Sequence, residues 1–237
     1  LVVALSLGAL GGVAVHRGFA VNMLGLAVVL LVVALACSFL HLGRPERAWR
    51  AATMWRTSWL SREVIVLPGF IALVALWWVA VRAGATAAWT GIAFPVAALV
   101  LAALLWLCTA MIYACLRFIE EWAHPLTLAN FVLTGLSSGF VLITAAARLA
   151  GEVPLAHAFG PAAAALTLLA GAARLAALGR NARLRHRSTL QSATGIASAR
   201  LAQTSMGMSA GSFNTREFFH RASTAAMRRA RLLLLFL

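Results

Sequence analysis

The chain has 237 residues, 62% of them hydrophobic and only 11% charged, with a formal net charge of +14 at pH 7. A mean hydropathy of +0.91, with the charges gathered between long Leu, Val and Ala runs, excludes a soluble globular domain and defines an integral membrane protein. A basic charge of this size suggests nucleic acid in a soluble protein, but arginines falling between hydrophobic spans serve topology and partner docking, so nucleic-acid binding is set aside.

Every basic residue is Arg and every acidic one Glu, a choice that GC-rich codon usage explains, so only the positions of the arginines carry information. Cys37, Cys108 and Cys115 lie in apolar stretches without C-x-x-C spacing and read as packing residues, not disulfides, zinc ligands or cluster ligands. The first apolar run lacks the basic leader and small-residue cleavage site of a signal peptide. Both ends are expected to be parts of spans that continue outside this sequence.

In chain order, Leu1 to Val15 is expected to be the tail of a first span and His16 to Val21 a short connection. Asn22 to Leu42 is long enough to cross a bilayer core. A loop over residues 43–62 leads to a third span, Glu63 to Val81, in which Pro68 removes a backbone donor and predicts a bend near Val64. Arg82 to Ala88 is a turn, and Trp89 to Leu116 is an unusually long fourth span. Arg117 to Pro125 connects it to a fifth, Leu126 to Ala147, and Pro154 to Leu178 is a sixth. Residues 179–227 are polar and Arg-rich, and Arg228 to Leu237 starts a seventh. No long strand-like alternation occurs. The expectation is an all-α, polytopic transmembrane helical bundle forming one anchor domain over residues 1–237, not a barrel.

Arginine positions give the orientation. The connections after spans two, four and six hold Arg44, Arg47, Arg50, Arg56, Arg62, Arg117 and those from Arg180 to Arg231, against Arg17, Arg82 and Arg148 on the other side. The Arg-rich side is therefore expected to be cytoplasmic.

Chemistry concentrates between Cys37 and Glu63. His41 shares a helix face with Ala34, Cys37 and Ser38, small residues that admit a neighbouring helix or a flat head group; an imidazole that only reaches headgroup water is the plainer alternative. Ser61 is expected to cap the third span, where the helix dipole alone accounts for an acidic Glu63. Its company with His41 at matching depth, Arg62 and Pro68 points further, to a pair that passes protons between water and a redox-active carbonyl in the membrane. Between them Pro45, Trp49, Ala52, Trp55 and Trp59, interleaved with arginines, predict a short amphipathic helix in the headgroup layer.

These motifs resemble a known family. HLGRPERAW, WRTSWLSRE and RFIEEWAHPLTLANFVLTGLSSG are similar to the DmsC family, the membrane anchor subunits of molybdopterin oxidoreductases such as dimethyl sulfoxide reductase. QTSMGMSAGSFNTREFFH is similar to the branch found with cytoplasmic sulfite-oxidising enzymes. The resemblance implies about eight helices in the full protein, of which about seven are visible, in the bacterial inner (cytoplasmic) membrane. It implies no haem and no iron–sulfur cluster in this chain, and electron exchange between a quinone, either menaquinone or ubiquinone, and an iron–sulfur subunit that serves a molybdopterin catalytic subunit. The family's functional histidine and glutamate fall on His41 and Glu63. Ser38, Arg44, Trp59 and Arg62 are the accompanying candidates for quinone contact, although Arg44 stands where the family often has a small residue.

The histidine distribution agrees, since no two form a convincing axial pair within the bundle. Asn130, Thr134, Ser137 and Ser138 either line a cavity or bond their own backbone and a neighbouring helix. Arg47 and Arg50, with Arg180, Arg183, Arg185, Arg187 and Arg216 of the long loop, are candidates for docking the iron–sulfur subunit; lipid phosphate is the alternative partner for the loop arginines. A haem-bearing cytochrome b anchor and a secondary transporter are the rival functions.

Overall fold

A computed structural model describes residues 1–40, 42, 44–85, 88–117, 119–184, 191, 195–198 and 200, with the side chains of 88–90 not described. The chain divides into two compact units, Leu1–Arg185 and His186–Leu237. The described part of the first is helical: α1 (Val2–Leu10), α2 (Arg17–Leu40), a 3-10 helix (Pro45–Ala52), α3 (Trp59–Ala83), α4 (Ala88–Ala114), α5 (Pro125–Leu149) and α6 (Val153–Ala182). Five of these, α2 to α6, are long and apolar enough to cross a membrane, and at 24 to 30 residues they run roughly 36–45 Å at 1.5 Å per residue. The protein is a polytopic helical bundle. The expected seventh span, Arg228 to Leu237, lies outside the described residues.

Several boundaries differ from the sequence expectation, each for a local reason. Helix α2 begins at Arg17, not Asn22, because its guanidinium is used: Nε donates to the Val81 carbonyl at 3.1 Å and Nη2 to that of Arg82 at 2.7 Å, capping α3 where Gly84 turns out of the helix at φ +77°. Helix α3 begins at Trp59, with Ser58 and not Ser61 as its N-cap; the Ser58 hydroxyl accepts from the Ser61 N–H at 3.4 Å. It runs on through Pro68, whose missing N–H leaves the Val64 carbonyl without its helical donor. Among the described residues the longest helix is α6, not α4, and Arg180 stands in its last turn rather than in a loop.

The expected short amphipathic helix between spans is a 3-10 helix followed by turns. Pro45 opens it as expected. Thr53 and Thr57 hydroxyls bond back three residues, to the carbonyls of Arg50 and Met54, which favours the tighter turn over a continued α-helix. Trp49 and Trp55, 66% and 53% exposed, present the aromatic face outward.

Helices α2 to α6 pack in sequence order, with α1 set against α4 and α5. The core gathers Leu5 of α1, Leu24 of α2, Val74 of α3, Ala98 of α4, Ile143 of α5 and Phe159 of α6. It lies toward the membrane side away from the 3-10 helix. Close approach depends on glycine there: a Cβ on Gly8 would sit 2.6 Å from Phe159 Cζ. Of the cysteines only Cys108 is buried, while Cys37 and Cys115 face outward.

Candidate functional site

Glu63 lies four residues inside α3, about 6 Å along the axis, and is half-buried. That position is past the cap, so the helix terminus alone does not account for it. Its Oε1 accepts a hydrogen bond from the Thr109 hydroxyl of α4 at 2.5 Å, and the same hydroxyl stands 3.0 Å from the Leu105 carbonyl. A threonine hydroxyl has one proton and two acceptor lone pairs. When Glu63 is ionised, that proton points at the carboxylate. When Glu63 is protonated, its O–H can donate to Thr109 while Thr109 donates to Leu105, so both protonation states are hydrogen-bonded without moving a heavy atom. The hydroxyl thus gives the carboxyl a fixed polar partner between α3 and α4.

The approach to Glu63 is held by Arg62. Its guanidinium lies over the Trp59 ring at 4.2 Å and donates to the carbonyls of Trp55 at 2.9 Å and Arg56 at 2.8 Å. Arg62 and Trp59 thereby fasten the turn that follows the 3-10 helix to the first turn of α3. Ser38 is exposed near the end of α2 and donates to its own Leu35 carbonyl at 2.7 Å. Arg44 is exposed at the N-cap of the 3-10 helix. His41 lies outside the described residues, directly after the last helical residue of α2, Leu40.

Of the docking candidates, Arg47 pairs with its neighbour Glu46 at 3.9 Å, both exposed, and Arg50 lies over Trp49 at 5.6 Å. Arg180 donates to the Glu120 carbonyl at 3.1 Å and to Asn181 at 2.9 Å, tying the α4–α5 connection to α6, and Arg183 is exposed at the α6 C-cap. Arg185, Arg187 and Arg216 lie outside the described residues.

An apolar cavity of about 260 Å³ opens among α1 to α5, with Phe70, Ala102, Leu105 and Trp106 in its wall. Phe70 is two turns along α3 from Glu63, and Leu105 one turn along α4 from Thr109, so the cavity begins on the helix faces that bear the carboxyl and its donor. A second cavity, of about 400 Å³, includes Asn130, Thr134 and Ser138 of α5 in its wall. Ser137 instead bonds Thr167 of α6 at 2.8 Å. Sequence reasoning missed Thr109, the partner of Glu63, and it missed Arg174, which lines the second cavity. A charge inside an apolar span would have flagged Arg174; nothing local flags Thr109. Among the described residues no group of three His, Cys or Glu side chains is gathered to hold a metal.

Five apolar helices carrying a hydrogen-bonded carboxyl near one boundary define a polytopic membrane protein with an ionisable site between two spans. Comparison with known proteins makes this specific: the chain matches the family described as DMSO reductase anchor subunit (DmsC) over residues 4–235, and it belongs to that family. It is 49% identical over 225 residues to a sulfite dehydrogenase subunit of Allochromatium vinosum, an alignment covering 89% of this chain and 68% of that protein. No solved structure matches it.

Proposed function

We propose that the chain is the quinone-reactive anchor of a molybdopterin oxidoreductase, exchanging electrons and protons between the quinone pool and an iron–sulfur subunit. The observation that carries this reading is the Glu63–Thr109 bond, which keeps a carboxyl hydrogen-bonded in either protonation state between two spans of an anchor-family protein. A bound quinone, menaquinone or ubiquinone, supplies paired electron and proton chemistry. In this reading His41 hydrogen-bonds a quinone oxygen and exchanges its proton, and Glu63 passes protons to water at the Arg-rich surface. Ser38, Arg44, Trp59 and Arg62 border the approach. The apolar cavity near Phe70 and Leu105 fits a prenylated head group better than a hydrated solute.

The iron–sulfur subunit docks on the side bearing the 3-10 helix, against Arg47, Arg50 and Arg183 and the loop arginines Arg185, Arg187 and Arg216, with a molybdopterin subunit beyond it. Positive-inside bias makes that side cytoplasmic, in a bacterial inner membrane. The sulfite dehydrogenase relative favours sulfite as the catalytic partner's substrate. Affinity purification of the chain from its native membrane tests the assignment. A molybdopterin protein and a ferredoxin-like protein are expected to co-purify with quinone-linked turnover; recovery of the chain without either would refute it.

Thr109 provides a sharper check within the same complex. Thr109→Val keeps the shape but removes the donor, and since a hydrogen bond to a charged group contributes about 1.5–3 kcal/mol when well made, quinone-linked turnover is expected to fall about tenfold. Thr109→Ser restores the hydroxyl and is expected to turn over near the wild-type rate. Equal rates for the Val and Ser variants would remove Thr109 from proton handling.

A further inference from the structure

The larger cavity lies away from Glu63, between α4, α5 and α6, and the proposed quinone chemistry does not use it. Asn130, Thr134 and Ser138 form one stripe of α5 at four-residue spacing along its wall, with Trp106 of α4 and Arg174 of α6. The antiparallel register of α5 and α6 is fixed by Ser137 against Thr167 and by Gly160 facing Thr144. Two turns along each helix from the Ser137–Thr167 bond, Asn130 and Arg174 come level with each other.

Two features of this cavity ask for a ligand. Asn130 donates through Nδ2 to the Leu126 carbonyl at 2.8 Å, which fixes its amide orientation, and its Oδ1 is then buried with no partner among the described residues. Arg174 stands on the spanning helix α6, eight residues before its end; it is exposed and is paired with no carboxylate among the described residues. An unpaired guanidinium in a span is costly and needs an anion or water. The site therefore offers a cation and lacks a donor for Oδ1.

We infer that this cavity binds the headgroup of an anionic phospholipid, with the phosphodiester on Arg174 and a headgroup hydroxyl donating to Asn130 Oδ1. Phosphatidylglycerol has both groups. The position supports a lipid: Arg174 is about 12 Å along the axis from the helix end, within reach of an extended side chain and a phosphate drawn inward. Basic pockets between helices on this side of a membrane protein are suited to anionic headgroups. A quinone would satisfy Asn130 as its reduced form but would leave the guanidinium without a counter-charge, and charge decides between the two.

The test uses the purified complex with its partner subunits, stripped of lipid in detergent and offered phosphatidylglycerol or phosphatidylcholine, with retained lipid counted by native mass spectrometry. Wild type is expected to retain phosphatidylglycerol selectively. Arg174→Gln is expected to reduce that retention about tenfold, the worth of one charge-assisted contact, and Asn130→Leu to lower the selectivity while Arg174 stays in place. Excess inorganic phosphate is expected to leave the retained lipid in place; displacement by it would mark a free-phosphate site. Displacement by a short-chain quinone would reassign the cavity to the carrier. Equal retention of the two lipids by wild type would also overturn the inference, as would undiminished retention in Arg174→Gln. If Arg174→Gln does not assemble, the wild-type lipid preference and Asn130→Leu decide.

Discussion

Replacing Glu63 by glutamine is expected to slow quinone-linked turnover of the assembled complex about a hundredfold, in the range that a positioned acid–base group contributes, while turnover with a soluble dye stays unchanged. Glutamine keeps the size of the side chain and an oxygen that can accept from Thr109, so the α3–α4 contact at 2.5 Å survives in outline. What disappears is the exchangeable proton. The variant thus separates the chemical role from the structural one: the amount of each partner protein in the complex, measured by gel, should equal wild type while the quinone-linked rate collapses. Glu63→Ala, which removes the oxygen as well, should lose both. A glutamine variant with full quinone-linked activity would leave Glu63 as a polar contact between two helices.

His41→Ala is expected to abolish quinone-linked turnover and spare dye-linked turnover, a larger loss than at Glu63 because this side chain is assigned direct contact with the quinone oxygen. His41 follows the last helical residue of α2, and α2 packs against α3, which carries Glu63. His41→Gln retains a hydrogen-bond donor without a proton that titrates near neutral pH. Its expected result is partial binding without turnover, measured as protection of the complex by a quinone-site inhibitor. Unaltered quinone-linked rates in the alanine variant would take His41 out of the mechanism.

The spans were legible because crossing a membrane requires only about twenty consecutive apolar residues, a property of each segment alone. Their ends were less so. Arg17 looked like part of a loop because it is charged, yet it extends α2 by bonding the last carbonyls of α3, an interaction 64 residues away in the chain. Ser61 looked like the cap of α3 because Glu63 followed it, but the helix starts one turn earlier at Ser58, and that shift moves Glu63 from the helix terminus into its second turn. The tryptophan spacing in the interfacial segment fits an α-helix, and hydroxyl bonds back to the chain tighten it to a 3-10 helix and turns. At the candidate site Glu63 itself was legible as a charge beside an apolar run. Its donor was not, since Thr109 stands 46 residues later among Leu, Trp and Cys with nothing around it to mark it.

From the sequence alone came a helical membrane anchor, the five spans from α2 to α6, and Glu63 as a charge beside one of them, because hydropathy and charge belong to segments whatever their neighbours. Only the tertiary structure decided which side of each span meets which partner. These helices are apolar around nearly their whole circumference, so no periodic stripe announces the inward face. Rotation about each axis is set by close contacts such as Gly135 beneath the Trp106 indole, where a Cβ would come within 2.7 Å of Nε1. That rotation turns Thr109 toward Glu63, and the register of α5 with α6 sets Arg174 level with Asn130.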